Sequence, residues 1–422
     1  MARSGAVWYG DRKVGSLRTG DRGSLRFAYD LDWLASDAFA VSISLPLEQG
    51  DAEVPAHGYF EGLLPEGRAR QRICRQKGIG EDDDAGLLFA IGGDCAGALS
   101  ILPDGQTPDD IAGDVVDLDE ATITELIRTA GTSPAMVTGS PRRFSLAGAQ
   151  EKLPVIVTDT GLALSDTKNP SSHILKFETE RWICFAEAIT NRLGAAAGLP
   201  VVETGFHPPE GGDGTHPYLL VSRYDRAQGK TGLVRLHQED MAQAMGLSSS
   251  LKYQRDAGPS IADIVELVRA HGARPAEMIG LIRDWQIFNV LVGNWDGHAK
   301  NLSLLHLPGE GAPSLAPFYD LVSIELLNLI RPGAFARDLA FSVGGAFVPE
   351  RIGRAEWTAF AKACELPTKA LLRRVAELAD ALPPLASEVI ARFEAEHGAI
   401  PIREQWIDTV TRRCRWTAQS LV

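Results

Sequence analysis

The stretch GNWDGHAKN, Gly293 to Asn301, follows directly on the apolar run AEMIGLIRDWQIFNVLVG. In that run Met278, Leu281, Ile282, Trp285, Phe288 and Val292 recur every three or four residues, which predicts a helix with one core-facing stripe. At its end nine residues hold Asp296, His298, Lys300, two asparagines and two glycines. Such density suits either a solvated turn or a loop that handles phosphate and metal. Asp296 and Asn301 stand five residues apart, the spacing between base and metal ligand in the kinase loop pattern H-R-D-x-x-x-x-N. A lone D-x-x-x-x-N arises often by chance, so the rest of the chain must decide.

Phosphoryl transfer needs four parts. A carboxylate orients the attacking hydroxyl, oxygen ligands hold Mg²⁺, a cation meets the phosphates, and a small-residue loop covers them. Downstream, Asp320 in APFYDLVS offers a second hard oxygen ligand of the kind Mg²⁺ favours. Upstream, Lys176 in SHILKFE sits on an expected strand, ahead of an expected helix at 182–197 that carries Glu187 as a candidate orienting carboxylate. Earlier still, SLAGAQEK (Ser145 to Lys152) has Ala147, Gly148 and Ala149, small enough for close backbone approach to phosphate. It matches neither G-x-G-x-x-G nor a Walker A motif, and alone it reads as an ordinary turn. His298 alone reads as a structural hydrogen-bonder, Lys176 as a strand lysine, and Glu239 and Asp240 as first-turn carboxylates at a helix start. The order of loop, strand lysine, helix, catalytic loop and metal carboxylate carries more weight than any one part.

The remaining chain fits that order. Residues 5–48 read as short strands: AVWYGDRKVGSLR alternates around a Gly-Asp turn, and FAVSISLPL alternates before Pro46. A helix is expected near 65–77, stopped by Gly78. Residues 103–120 hold two prolines, two glycines and seven acidic residues, the composition of a surface linker, before a short helix in ATITELIRTAG. FSLAGAQEKLPVIV, SHILKFE and PYLLVSRYDR read as strands, and the chain turns mainly helical after Leu236. The expected organisation is an N-terminal α+β domain over 1–102, a linker and short helix over 103–140, a strand-rich lobe over 141–235 and a helical lobe over 236–422.

Composition restricts the partners. The 422 residues are 45% hydrophobic and 23% charged, ordinary for a soluble globular protein. A net charge of −13 argues against nucleic acid or anionic membrane spread over the whole surface. Five scattered cysteines without a C-x-x-C suggest reduced, buried thiols, and with no signal-like N-terminal run the expected compartment is the cytoplasm, with no membrane contact.

Taken together, FSLAGAQEKLPV, SHILKF, LHQEDMAQAMGL, NWDGHAKNLSLL and FYDLVS resemble the HipA family of bacterial serine/threonine kinases, toxins of type II toxin–antitoxin pairs, and FEGLLPEG resembles the family's small N-terminal domain. The resemblance runs from about residue 5 to 400. It implies an α+β, kinase-like two-lobed fold with an extra N-terminal domain. It implies ATP and Mg²⁺, with Asp296 catalytic and Asn301 and Asp320 as metal ligands. It places Ala147, Gly148, Ala149, Gln150, Glu151, Lys152 and Lys176 on the phosphates. His298, Ala299, Lys300 and Asn301 would also lie at the nucleotide. Ser222, Arg223 and Tyr224 correspond to the adenine-side linker, although Ser222 stands where relatives carry glutamate. Ser145 corresponds to an autophosphorylated serine. A small helix-turn-helix, HipB-like antitoxin is the implied partner, with DNA reached only through it. The implied substrate class is an aminoacyl-tRNA synthetase, commonly the glutamyl enzyme. A small-molecule kinase of the aminoglycoside or choline type shares the same loop, and a non-catalytic co-repressor scaffold is the third reading.

Overall fold

The computed structural model describes residues 3–36, 38–111, 115–129, 150–165, 168–209, 216–230 and 232–422. Two compact units divide it. One comprises Met1–Thr179, Pro209–Ser249 and Leu304–Glu310, and the other Glu180–Pro208, Ser250–Ser303 and Gly311–Val422.

The first unit opens on an antiparallel sheet. Strands β1 (Ser4–Tyr9) and β2 (Arg12–Thr19) turn at Gly10, and β3 (Leu25–Tyr29), β4 (Val54–Pro55) and β5 (Leu99–Pro103) complete the order β4-β3-β2-β1-β5. Alternation along these strands buries Val7, Val14, Leu17, Leu25, Phe27 and Tyr29, which join Trp33, Tyr59 and Phe60 in one core. Helix α1 (Gly67–Lys77) ends at Gly78 in the left-handed conformation, as the sequence predicts, and α2 (Asp84–Ile91) is capped by Asp83.

The alternating run FAVSISLPL does not form a strand; it holds an isolated bridge between Ser42 and Leu45, and Leu47 opens the short 3-10 turn Leu47–Gln49. Side chains claim its backbone instead. Val41 N donates to Tyr29 Oη at 2.7 Å, His237 Nε2 lies 2.8 Å from Val41 O, and Ile43 N donates to Glu239 Oε1 at 3.1 Å. Once the polar groups are satisfied this way, no ladder is required. Glu239 also departs from the expectation of a first-turn carboxylate. It lies wholly buried on the strand His237–Asp240, and its Oε1 is 3.1 Å from His306 Nε2. Asp240 behaves as predicted: it caps Met241–Ala244, accepting from Gln243 N at 2.9 Å.

A second sheet in this unit runs through β6 (Val116–Leu118), β7 (Lys152–Thr158), β8 (Gly161–Leu164), β9 (His173–Phe177) and β10 (Tyr218–Ser222), in the order β10-β9-β7-β8-β6. The acidic stretch read as linker thus supplies an edge strand before α3 (Glu120–Arg128). A buried ion network lies in the same unit. Asp94 receives Arg226 at 3.0 Å and Arg235 at 3.1 Å, while Asp225 receives Arg223 at 2.6 Å and Arg226 at 3.1 Å. Burial opposes ionisation of Asp94, but Arg235, Arg226 and Arg223 outweigh it and hold the carboxyl below its usual range.

The second unit is helical. It contains α4 (Ile183–Ala196), α5 (Ile261–His271), α6 (Pro275–Val292), α7 (Ile324–Ile330), α8 (Arg354–Ala363), α9 (Thr368–His397) and α10 (Arg403–Ser420). Phe185, Ile189 and Leu193 line the buried face of α4, while Trp182 precedes the helix and is half-buried. Helix α6 begins with Pro275 at its first position and buries Ile282, Trp285 and Phe288.

Candidate active site

The end of α6 sets the site. Gly293 closes the helix at φ 73°, and a Cβ there would lie 2.5 Å from Glu325 Cβ, so the turn favours glycine twice over. Two asparagines then fasten the loop to the helix. Asn294 N donates to Asn289 O at 2.9 Å, Asn294 Nδ2 to Asn289 Oδ1 at 3.0 Å, and Asp296 N to Asn294 Oδ1 at 3.3 Å. The chain tightens at Ala299–Asn301, where His298 N donates to Asn301 Oδ1 and Asn301 N to His298 O, both at 2.9 Å.

Asp296 is exposed at this turn, and Tyr253 Oη donates to its Oδ1 at 2.7 Å. Asn301 Nδ2 lies 3.4 Å from Asp320 Oδ2, which joins two segments nineteen residues apart. Asp320 itself adopts φ 55°, a left-handed backbone that costs a non-glycine residue about 1 kcal/mol or more and recurs at functional positions. Tyr319 holds this crossing from behind, with its hydroxyl 2.6 Å from Lys300 O and 2.7 Å from Ser303 Oγ. The His298 ring packs edge-on against Tyr253, centroids 5.2 Å apart. Burial, with the charges of Lys252 and Lys300 beside it, holds the imidazole well below its ordinary range, so the ring is neutral at pH 7.

Asp296, His298, Ala299, Lys300, Asn301 and Asp320 therefore gather in the second unit. The donor set suits Mg²⁺: one carboxylate and one carboxamide, both hard oxygens, with room in the coordination shell for waters and phosphate oxygens. Asn301 Oδ1 keeps a second lone pair beside the one engaged by His298 N. Sequence spacing reached Asp296 and Asn301 but not Tyr253, which lies 43 residues upstream with no motif to mark it, nor the bracing Asn294 and Tyr319.

The other expected residues lie in the first unit. Lys176 is buried on β9, and in the β7–β9 register it stands directly opposite Lys152. Like charges so placed repel unless an anion or a carboxylate answers them. Glu151 is ion-paired with Arg72, and Gln150 Nε2 donates to Phe177 O at 3.1 Å. Ser222 Oγ lies 3.1 Å from His173 Nε2, and Tyr224 Oη donates to Gln238 Oε1 at 2.8 Å. The Arg223 guanidinium is committed to Asp225. Ser145, Ala147, Gly148 and Ala149 lie outside the described residues.

A family model described as the HipA-like C-terminal domain matches residues 144–385, and one described as the HipA N-terminal domain matches 5–102. A Sinorhizobium fredii relative named as a kinase, Y4mE, is 35% identical over 92% of this chain and 90% of its own. The serine/threonine-protein kinase toxin HipA of Shewanella oneidensis is 29% identical over 90% of this chain and 88% of its own. Among solved structures, the Shewanella oneidensis MR-1 toxin–antitoxin complex of HipA, HipB and operator DNA superposes with a TM-score of 0.80 at 25% identity, covering 98% of this chain and 97% of that one.

Proposed function

Since this chain belongs to the HipA family, we propose that it is an ATP-dependent serine/threonine kinase that acts as the toxin of a type II toxin–antitoxin module. The observation that carries this reading is the pairing of Asn301 with a left-handed Asp320 beside an Asp296 already gripped by Tyr253.

Each side chain has a task in that reaction. Asp296 accepts the proton of the attacking serine hydroxyl. Tyr253 donates to Oδ1 and so holds the carboxylate in place. Asn301 and Asp320 would hold Mg²⁺, which when bound neutralises phosphate charge. Lys152 and Lys176, facing each other across β7 and β9, supply positive charge for the phosphates, with Ala147, Gly148, Ala149, Gln150 and Glu151 as the covering stretch. Ser222, Arg223 and Tyr224 meet adenine through backbone, since the Arg223 side chain is engaged elsewhere. His298, Ala299 and Lys300 complete the nucleotide end. The test is incubation of the chain and its Asp296→Asn variant with labelled ATP, Mg²⁺ and a cell lysate. Transfer to protein serine should fall about 10²–10⁴-fold in the variant, the usual effect of losing a general base. Equal labelling by both proteins would reject Asp296 as the base, and transfer only to a sugar or choline would favour a small-molecule kinase.

The substrate is an aminoacyl-tRNA synthetase, the glutamyl enzyme first, so that phosphorylation stops charging and growth. The partner is a small helix-turn-helix antitoxin that carries DNA contact on behalf of a chain whose own net charge is −13. The relative of known structure is bound to HipB and operator DNA, which supports that assignment. Action is cytoplasmic; among the described residues no helix is long and apolar enough to cross a membrane. Ser145 is the autophosphorylation site. A phosphoserine brings roughly −1.5 to −2 charges into the stretch that covers ATP phosphates and shuts the kinase off. Mass spectrometry after incubation with Mg-ATP should find phosphate on Ser145 in the wild type and none in Asp296→Asn; an unmodified Ser145 in active protein would remove this self-inactivation.

A further inference from the structure

One concave region of the helical unit has neither Asn301 nor Asp320 in its lining. It is a cleft of about 370 Å³ bordered by α7, the loop that follows it and α10. That size falls within the range of small-molecule sites. Three arginines line it, Arg337, Arg412 and Arg413, against two glutamates, Glu325 and Glu350. Two of the arginines have carboxylates at hydrogen-bond distance: Arg412 Nη2 donates to Glu325 Oε1 at 2.9 Å and Arg337 Nη2 to Glu350 Oε1 at 3.2 Å.

Arg413 has none. It is 4% exposed, its Nη1 stands 3.8 Å from Glu350 Oε1, and its Nε and Nη2 have no hydrogen-bond partner. Glu325 and Arg412 also act on it electrostatically, and the guanidinium carbon lies 5.0 Å from the centroid of the Trp295 ring. Burial pulls this side chain below the usual arginine range, yet a guanidinium remains charged at neutral pH. A buried charge short of an acceptor calls for an anion. The exposed part of the lining is mixed: Leu329 and Trp416 are each 44% exposed, beside the charged side chains of Arg337, Arg412 and Glu350.

We propose that this cleft binds a small organic anion, a carboxylate or phosphate headgroup on Arg413 with a flat apolar body against Trp416. Its occupancy reaches the loop of Asp296. Trp295 directly precedes Asp296, lies under the Arg413 guanidinium and donates through Nε1 to Glu325 Oε2 at 3.4 Å. An anion that draws Arg413 toward the cleft weakens its hold on Trp295 and alters the seat of Asp296. This second consequence rests on the kinase reading above; binding itself does not.

The experiment titrates the full chain with phenyl phosphate, benzoate and inorganic phosphate, followed by calorimetry and tryptophan fluorescence. Saturable binding of phenyl phosphate or benzoate is expected, with inorganic phosphate weaker by about tenfold for want of the body that meets Trp416. Arg413→Met should weaken binding by about tenfold or more, as removal of a charge-assisted contact does. Trp416→Ala, at an exposed position that leaves the core untouched, should weaken the aryl probes but not inorganic phosphate. Asp296→Asn should bind like the wild type, so a chain inactive in phosphotransfer still tests the cleft. In active protein the saturating probe should change kcat in the wild type and leave Arg413→Met unchanged. No saturable binding of any probe, or binding that survives in both cleft variants, overturns the site. A kcat indifferent to a bound probe overturns the coupling.

Discussion

Tyr253 donates its hydroxyl to Asp296, and phenylalanine at that position keeps the ring on His298 while removing the bond. A hydrogen bond to a charged group is worth about 1.5–3 kcal/mol. Tyr253→Phe should therefore lower kcat by about tenfold or more while the KM for ATP stays near its original value; steady-state kinetics at varied ATP will tell. Asn301→Ala should act differently, weakening metal dependence: the Mg²⁺ concentration for half-maximal transfer should rise severalfold, whereas an unchanged Mg²⁺ curve would remove Asn301 from the ligand set. At this scale the sequence was legible where chemistry is compressed into a few consecutive residues. The D-x-x-x-x-N spacing led to Asp296 and Asn301. It was silent on Tyr253 and on the Lys152–Lys176 register, because both depend on which distant backbones fold side by side.

Helix ends and strands show the same division. Helix α6 was readable from its period and from Gly293, since a 3.6-residue stripe and a left-handed stop are local properties. Gly293→Ala should cost about 1–3 kcal/mol through its φ alone, with the approach to Glu325 added, and a lowered denaturant midpoint together with slower phosphotransfer is the expected outcome. The run at 39–47 was not readable. Its alternation is that of a strand, but the carboxylate of Glu239, the ring of His237 and the hydroxyl of Tyr29 take its backbone polar groups. Those partners lie outside any window in which a periodicity is judged. The edge strand β6 inside an acidic, proline-containing stretch escaped for the same reason: its pairing with β8 is a tertiary event.

For the whole molecule, the buried histidines His237 and His298 contribute to the response to acid. Burial, reinforced by His306 and opposed by the Val41 carbonyl, pushes His237 down to about 3, and burial likewise depresses His298. A histidine whose folded value is lowered leaves the unfolded chain binding the extra proton. Stability is then full above the unfolded value of about 6.5 and falls as the pH drops from there toward 3. Urea midpoints at stepwise lower pH should show this loss, and His237→Gln should flatten it; an acid limb identical in the variant would assign the loss to other groups.

The network around Asp94 and Asp225 has a consequence for how the gene can be cut. Asp94 belongs to the region matched as an N-terminal domain, yet Arg226 and Arg235, which neutralise it, come from more than a hundred residues later. Severing the chain after residue 102 would take Asp94 from Arg235, leave Arg226 with Asp225, and strand the aspartate on the other fragment. Neither piece should remain soluble by itself. Mixing the two fragments should restore more than either shows alone, so recombination that exchanged this leading segment between relatives would have to carry the matching arginines with it.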